Sequence, residues 1–302
     1  MTDLITPREV PLGGLRAMTV RRTLPTRGRS LIGAWCFLDH YGPDRVADTG
    51  GMAVARHPHT GLATVSWLFT GAVDHLDSAG NSARVVPGEL NLMTAGRGIT
   101  HSEFSTSDTE ILHGVQLWFA LPDSHRHGDA GFDHYRPDPV AVDGGELLVF
   151  LGSLGGSTSP VETATALVGA EVRLQPGARV VLTVQPGHEH GLLVDTGSAV
   201  LGDQQLAEGE LGFAAAGAGA LEVVAGEHGA RLILIGGEPL GEPIVMWWNF
   251  IGRTHDEVAE YREAYQREIT TGEVGRFGPF PEGAPDPIPA PPMPNMRLRP
   301  RG

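Results

Sequence analysis

At 302 residues the chain is long enough for two domains of ordinary size, each able to bury its own core. Its 36 acidic residues outnumber 22 basic ones for a formal net charge of −14, every basic residue is arginine, and Cys36 is the one cysteine. These facts exclude an intramolecular disulfide, zinc–thiolate chemistry within one chain and any lysine-based Schiff base or phosphate loop, and they argue against binding nucleic acid by neutralising its backbone.

The opening "MTDLITPREV" has no apolar run of signal-peptide length, and no later segment approaches the roughly 20 apolar residues of a membrane span. The expected setting is the reducing cytoplasm, with neither membrane nor nucleic acid as partner. Forty-two glycines and 23 prolines cut the chain into short runs, among them "LATVSWLF", "GVQLWFAL", "ELLVFLG", "ARVVLTV", "GLLVDTG" and "ARLILIGG". Such runs, parted by turn chemistry such as "VPGE" and "QPGA", predict an all-β sandwich or barrel. One helix stands out in "RTHDEVAEYREAYQRE", where Thr254 and Glu257 have capping-box spacing and Val258, Tyr261, Ala264 and Tyr265 share a face. In each half an H-x-H leads into a strand and a later "GEL" opens another, so two stacked β-barrels are the simplest account. The expected division is 1–135 for the first domain, 136–274 for the second, and 275–302 for a proline-rich tail extended over the body.

The candidate chemistry lies in the first half. Side chains alternate across a strand, so His57 and His59 in "RHPHTGLATVSW" converge on one face, as do His101 and Glu103 in "GRGITHSEF". Three imidazoles and a carboxylate from neighbouring strands make a mixed nitrogen and oxygen site for a divalent transition metal, with one or two positions left for water or substrate. An isolated H-x-H among 13 histidines reads as readily as an exposed strand end; the second pair is what turns the motif into a site. His75 is read either as a neighbour of the ligands or as an exposed strand end, and His125 and His127 in "PDSHRHGD" as a solvated rim. His188 and His190 converge by the same alternation, but "GFAAAGAGALEV" stands where a further ligand is needed, so they read as packing at the domain boundary and the second half as metal-free. Trp67, Phe69, Phe104 and Trp118, close in sequence to the ligands, are candidate walls for a flat aromatic substrate, with plain core packing an equal alternative.

The pattern G-x5-H-x-H at Gly51, His57 and His59 resembles the first cupin motif. The longer strings "FLDHYGP", "DSAGNSARVVPGELNLMTAGRGITHSE", "GVQLWFALP" and "GEPLGEPIVMWWNFIGRTHDEV" are similar to the pirin family over nearly the whole chain. That resemblance implies a jelly-roll bicupin with one divalent transition metal per chain, held in the N-terminal domain at His57, His59, His101 and Glu103. Fe(II) is the foremost candidate, and the donor set also accepts Mn, Ni, Co or Cu. The usual cupin glutamate after the second histidine is replaced here by Ala63 and Thr64, and Glu103 matches the family's carboxylate instead. Family members are described as iron-containing nuclear cofactors of transcription factors and as quercetin 2,3-dioxygenases. Two expectations follow. One is an oxidoreductase that opens a flavonol ring with O2 and releases carbon monoxide, with Glu103 as catalytic base. The other is a non-enzymatic metal-dependent regulator or redox sensor acting through a protein partner. The acidic chain, without a basic partner-facing run, argues for the enzyme or for a small-molecule sensor.

Overall fold

The computed structural model describes residues 2–12, 18–279 and 284–302. As composition and turn chemistry predict, it is built mainly of strands, with helices among the described residues at Val46–Thr49 and His255–Thr271. No described helix is long and apolar enough to cross a membrane. The first half is organised as a seven-stranded and a four-stranded antiparallel sheet, the second as a nine-stranded sheet. In the four-stranded sheet, Ile99–Ser105 lies between Ala53–His59 and Val73–Asp77. In the seven-stranded sheet, Ile111–Ala120 lies between Trp35–Arg45 and Leu62–Thr70.

Alternation gives the central strands two different faces. Val65 and Trp67, with Val115, Leu117 and Phe119, turn toward the second half and meet Phe150, Leu193, Ile233 and Ile235 in one shared core. Each such side chain removed from water contributes on the order of 2 kcal/mol, so the two halves are fixed against each other rather than hinged. Hydrogen bonds cross the same boundary: Trp35 Nε1 donates to Gly236 O at 3.0 Å and Trp67 Nε1 to Glu171 Oε2 at 2.7 Å. The strand Thr2–Ile5 pairs with Leu211–Ala214, so the start of the chain is part of the second half's sheet.

The helix begins where its cap dictates. Thr254 Oγ1 accepts from Glu257 N at 3.1 Å, while the Glu257 carboxylate reaches one residue beyond the cap, to Arg253 N at 2.6 Å. Val258, Tyr261, Ala264 and Tyr265 are buried against Val245, Phe250 and Phe277. Proline density keeps the described part of the tail from regular structure, yet it is tied down. Ile288 N donates to Arg56 O at 2.8 Å, Tyr265 Oη donates to Ile288 O at 2.8 Å, and Arg301 exchanges backbone bonds with Ile244.

Candidate metal centre

Antiparallel register places His101 opposite His57 and Ile99 opposite His59, which brings the three imidazoles to one patch. One ring nitrogen from each lies within 4.8 Å of the other two, and all three side chains are buried. Gly61, at φ +68°, forms the turn that follows His59; a Cβ there would stand 2.4 Å from Ile251 O, so only glycine lets the second half's hairpin close on this turn. Burial pushes His57 down to about 4 and holds His59 and His101 well below the usual histidine range, with neighbouring imidazoles adding to the effect. All three are neutral at pH 7, the form that ligates metals.

Hydrogen-bond partners fix which nitrogen is free. His57 Nδ1 lies 2.9 Å from Ala55 O and donates there, leaving Nε2 with its lone pair. His101 Nδ1 faces His75 Nδ1 at 3.4 Å, and His75 Nε2 faces Asp77 Oδ2 at 3.4 Å. In that order of donation the carboxylate orients His75, and His75 orients His101, whose Nε2 is left as a donor atom. His75 is therefore a buried neighbour of the cluster, not an exposed strand end. His59 Nε2 and His101 Nε2 stand 3.0 Å apart. Two neutral imidazole nitrogens this close need a proton or a cation between them.

Glu103 follows His101 across a bulge and forms a second group with His101 and His75 rather than joining His57 and His59 directly. Its Oε1 accepts from Ser66 Oγ at 3.2 Å, and burial holds its carboxyl above the usual range. Three neutral imidazoles with an adjoining carboxylate fit a divalent first-row transition metal by donor type.

All four residues line a cavity of about 510 Å³. Trp118 is part of its wall, stacked on Phe37 with ring centroids 4.0 Å apart and an interplanar angle of 10°, and set edge-on to His59 at 5.0 Å. The other three aromatic candidates lie outside the lining, and strand alternation is the reason. Ser66 faces Glu103, so Trp67 and Phe69 face the opposite way, into the shared core and its margin. Phe104 falls on the face opposite Glu103, beside Ala53 and Asp74. The lining also includes residues that sequence reasoning did not single out: Arg22, Gln116, Ile288 from the tail, and Trp247 and Trp248 from the hairpin before the helix. Ser66 and Gln116 carried a readable signal, each a lone polar residue inside an apolar strand run, "VSWLF" and "GVQLWF".

A second histidine group, His40 and His113 with Asp195, sits between the two halves. Each Nε2 lies at hydrogen-bond distance from the same Asp195 oxygen, 2.7 and 2.6 Å, while Arg21 and Arg231 face the Nδ1 atoms at 3.2 and 3.3 Å. Arg21 Nη2 stands equally close to His40 Nε2, at 3.2 Å, so the group is a buried network of two imidazoles and one carboxylate flanked by two guanidinium groups. In the second domain His190 is buried and His188 half-buried, with ring centroids 6.1 Å apart, and neither shares a three-residue ligating group among the described residues.

Two β-domains sharing one core, with a histidine and carboxylate cluster at a cavity in the first, define a bicupin with a candidate metal centre. The chain belongs to the pirin family: the Pirin profile matches residues 17–119 and that of the Pirin C-terminal cupin domain residues 169–270. A Pseudomonas aeruginosa protein named "Putative quercetin 2,3-dioxygenase" is 39% identical over 291 residues, 96% of this chain and 90% of its own. The Pirin-like protein of Caulobacter vibrioides is 31% identical over 300 residues, 93% of this chain and 100% of its own. The crystal structure of quercetin 2,3-dioxygenase from Acinetobacter baumannii matches with a TM-score of 0.90 at 36% identity, covering 98% of this chain and 97% of that one.

Proposed function

We propose that the chain is a cytoplasmic, metal-dependent dioxygenase that opens the ring of a flavonol such as quercetin with O2 and releases carbon monoxide. The observation that carries this reading is the joining of metal-type donors and an aromatic wall in one cavity: His57, His59, His101 and Glu103 beside the stacked Phe37 and Trp118. Those four polar residues are the proposed ligands, with Fe(II) foremost. Held by these residues, a divalent metal would supply Lewis-acid stabilisation to the 3-oxygen of the flavonol. Glu103, a stronger base than a solvated carboxylate because burial raises its pKa, takes the 3-hydroxyl proton, and Ser66 holds its Oε1. Phe37 and Trp118 orient the ring system, and the electron-rich flavonolate reacts with O2 in the same cavity. The likeness to the quercetin dioxygenase of Acinetobacter baumannii supports this assignment of substrate class. We also propose the division 1–135, 136–274 and 275–302, supported by the break between the strands Gly131–Tyr135 and Val140–Val142, with Thr2–Ile5 of the first segment crossing over to complete the second's sheet.

Oxygen uptake and carbon monoxide release by the metal-replete protein over a flavonol panel test the reading. Flavonol-dependent uptake with one of Fe, Mn, Ni, Co or Cu is the expected result. Its absence with all five would favour a regulator acting through a protein partner.

A further inference from the structure

On the inner face of the seven-stranded sheet, register sets Arg22 opposite Asp39, Asp39 opposite Gln116, and Gln116 opposite Ser66, whose hydroxyl bonds Glu103. A polar row thus runs across four strands from the candidate metal centre to Arg22. Beside it, Phe37 opposite Trp118 forms an aromatic row. Arg22 is held in place from two sides: Nε and Nη2 donate to Asp39 Oδ1 and Oδ2 at 2.6 and 2.7 Å, and the guanidinium carbon lies 4.2 Å from the Phe37 ring centroid. These bonds use one edge of the guanidinium, and among the described residues Nη1 makes no hydrogen bond. Arg22 lines the cavity whereas Asp39 is fully buried outside the lining, so a ligand meets the cation and not its counter-ion. In a chain of net charge −14 this is a cation placed at the wall of an aromatic cavity.

We propose that Arg22 is a specificity-determining residue that takes an acidic oxygen, carboxylate or phenolate, of a planar aromatic ligand whose other end reaches the imidazole cluster. The inference rests on the aromatic-substrate reading above and names the part of the ligand that reading leaves open. A planar guanidinium fixed by an ion pair and a ring face is preorganised, so an anionic oxygen on its free edge gains a directional, charge-assisted hydrogen bond at little entropic cost.

The test is an anaerobic absorption titration of the metal-replete protein with 3-hydroxyflavone, its 7-hydroxyl derivative, and derivatives carrying a carboxylate or its methyl ester at position 4′ or 7. At least one acidic substituent should tighten binding roughly 10- to 100-fold over the parent, and Arg22→Gln should shrink that gain to within about twofold while metal content is unchanged. Arg22→Gln/Asp39→Asn, which removes both charges of the pair and leaves no buried carboxylate unpartnered, should behave the same way. No gain for any acidic derivative in the wild type, or a gain that survives in either variant, overturns the proposal. A parent 3-hydroxyflavone that fails to bind the wild type counts against the flavonol reading alone; the Arg22 comparison then runs on catechol against 3,4-dihydroxybenzoate, with the same two outcomes.

Discussion

His40 Nε2 lies 2.7 Å from Asp195 Oδ1, joining the strand Trp35–Arg45 of the first domain to Glu189–Leu201 of the second. Its sequence neighbour Asp39 points to the other face of the same strand and clamps Arg22 at the cavity. The "FLDHYGP" string thus serves two places at once, one residue holding the domains together and the next supporting the site. Burial alone would raise the Asp195 pKa, but hydrogen bonds from His113 and His40 outweigh it and hold the carboxyl well below its ordinary range. Arg231 Nε also donates to Asp195 Oδ2, so Asp195→Ala strands two imidazoles and a guanidinium, and chemical denaturation should show a loss on the order of 3–5 kcal/mol. A variant within about 0.5 kcal/mol of the parent, the range of an ordinary surface change, would show that the group contributes nothing to holding the domains.

Metal content should separate the two histidine pairs. His57→Ala or His101→Ala removes one of three clustered imidazoles and is expected to abolish binding, whereas replacing His188 and His190 together leaves about one metal per chain by elemental analysis. His75→Ala removes the group that orients His101 and should weaken metal affinity by roughly 10- to 100-fold without abolishing it. Equal loss from the two pairs would overturn the assignment.

Buried neutral imidazoles also set a pH limit. Free histidines in the unfolded chain ionise near pH 6.5, while His57 is held near 4 and His59 and His101 lower than the ordinary value. The stabilising contribution is therefore complete above pH 6.5 and is lost as pH falls, because the unfolded state takes up protons that the folded state refuses. His57 alone makes this on the order of 3 kcal/mol between pH 7 and 4. Glu103, raised by burial, works in the opposite sense, favouring the fold below 4.5 and losing that contribution as pH rises. Three rings outweigh one carboxyl, so the urea midpoint of the metal-free protein should fall from pH 7 to 5, and metal affinity with it. A flat midpoint over that range would contradict the buried neutral rings.

The parts of this architecture that were legible in the sequence are those set by local periodicity. Alternation alone put His57 with His59 and His101 with Glu103, and helical spacing found the buried face of His255–Thr271. Trp67 and Trp118 show where that rule stops being enough. Both are aromatic residues in apolar runs close in sequence to the ligands, but one faces the shared core and the other the cavity, and the difference is the parity of each strand relative to Ser66 and Gln116. Parity could be assigned only by knowing which polar residue reaches the site. Arg22, Trp248 and Ile288 were beyond reach for another reason: they come from separate regions of the chain and meet at the cavity only through sheet register and the path of the tail.

The tail offers a separation of stability from ligation. No histidine lies beyond His255, so a chain ending at Arg276 should keep its metal. Phe277 is fully buried against Phe250 and Tyr265, and its loss alone should cost roughly 3–5 kcal/mol. A truncated protein that folds but holds no metal would place the tail in the site itself.

The base role of Glu103 gives the sharpest test of the enzymatic reading. Glu103→Gln keeps the size of the side chain and an oxygen able to accept from Ser66, but it removes the charge and the basic site. The variant should retain part of its metal and most of its flavonol affinity, while turnover falls by roughly 10²- to 10⁴-fold, the span of a positioned general base. Binding and proton transfer are read separately by anaerobic titration with quercetin, in which the flavonolate absorbs at longer wavelength than the neutral flavonol. In the parent protein the shift should appear on mixing and bleach on admitting air, with release of carbon monoxide. In Glu103→Gln, bound quercetin should show a much smaller shift at pH 7 and recover it as pH is raised, because solvent base then removes the proton the side chain no longer takes. Unchanged turnover in a metal-replete Glu103→Gln protein would remove the base role and leave Glu103 as a ligand only.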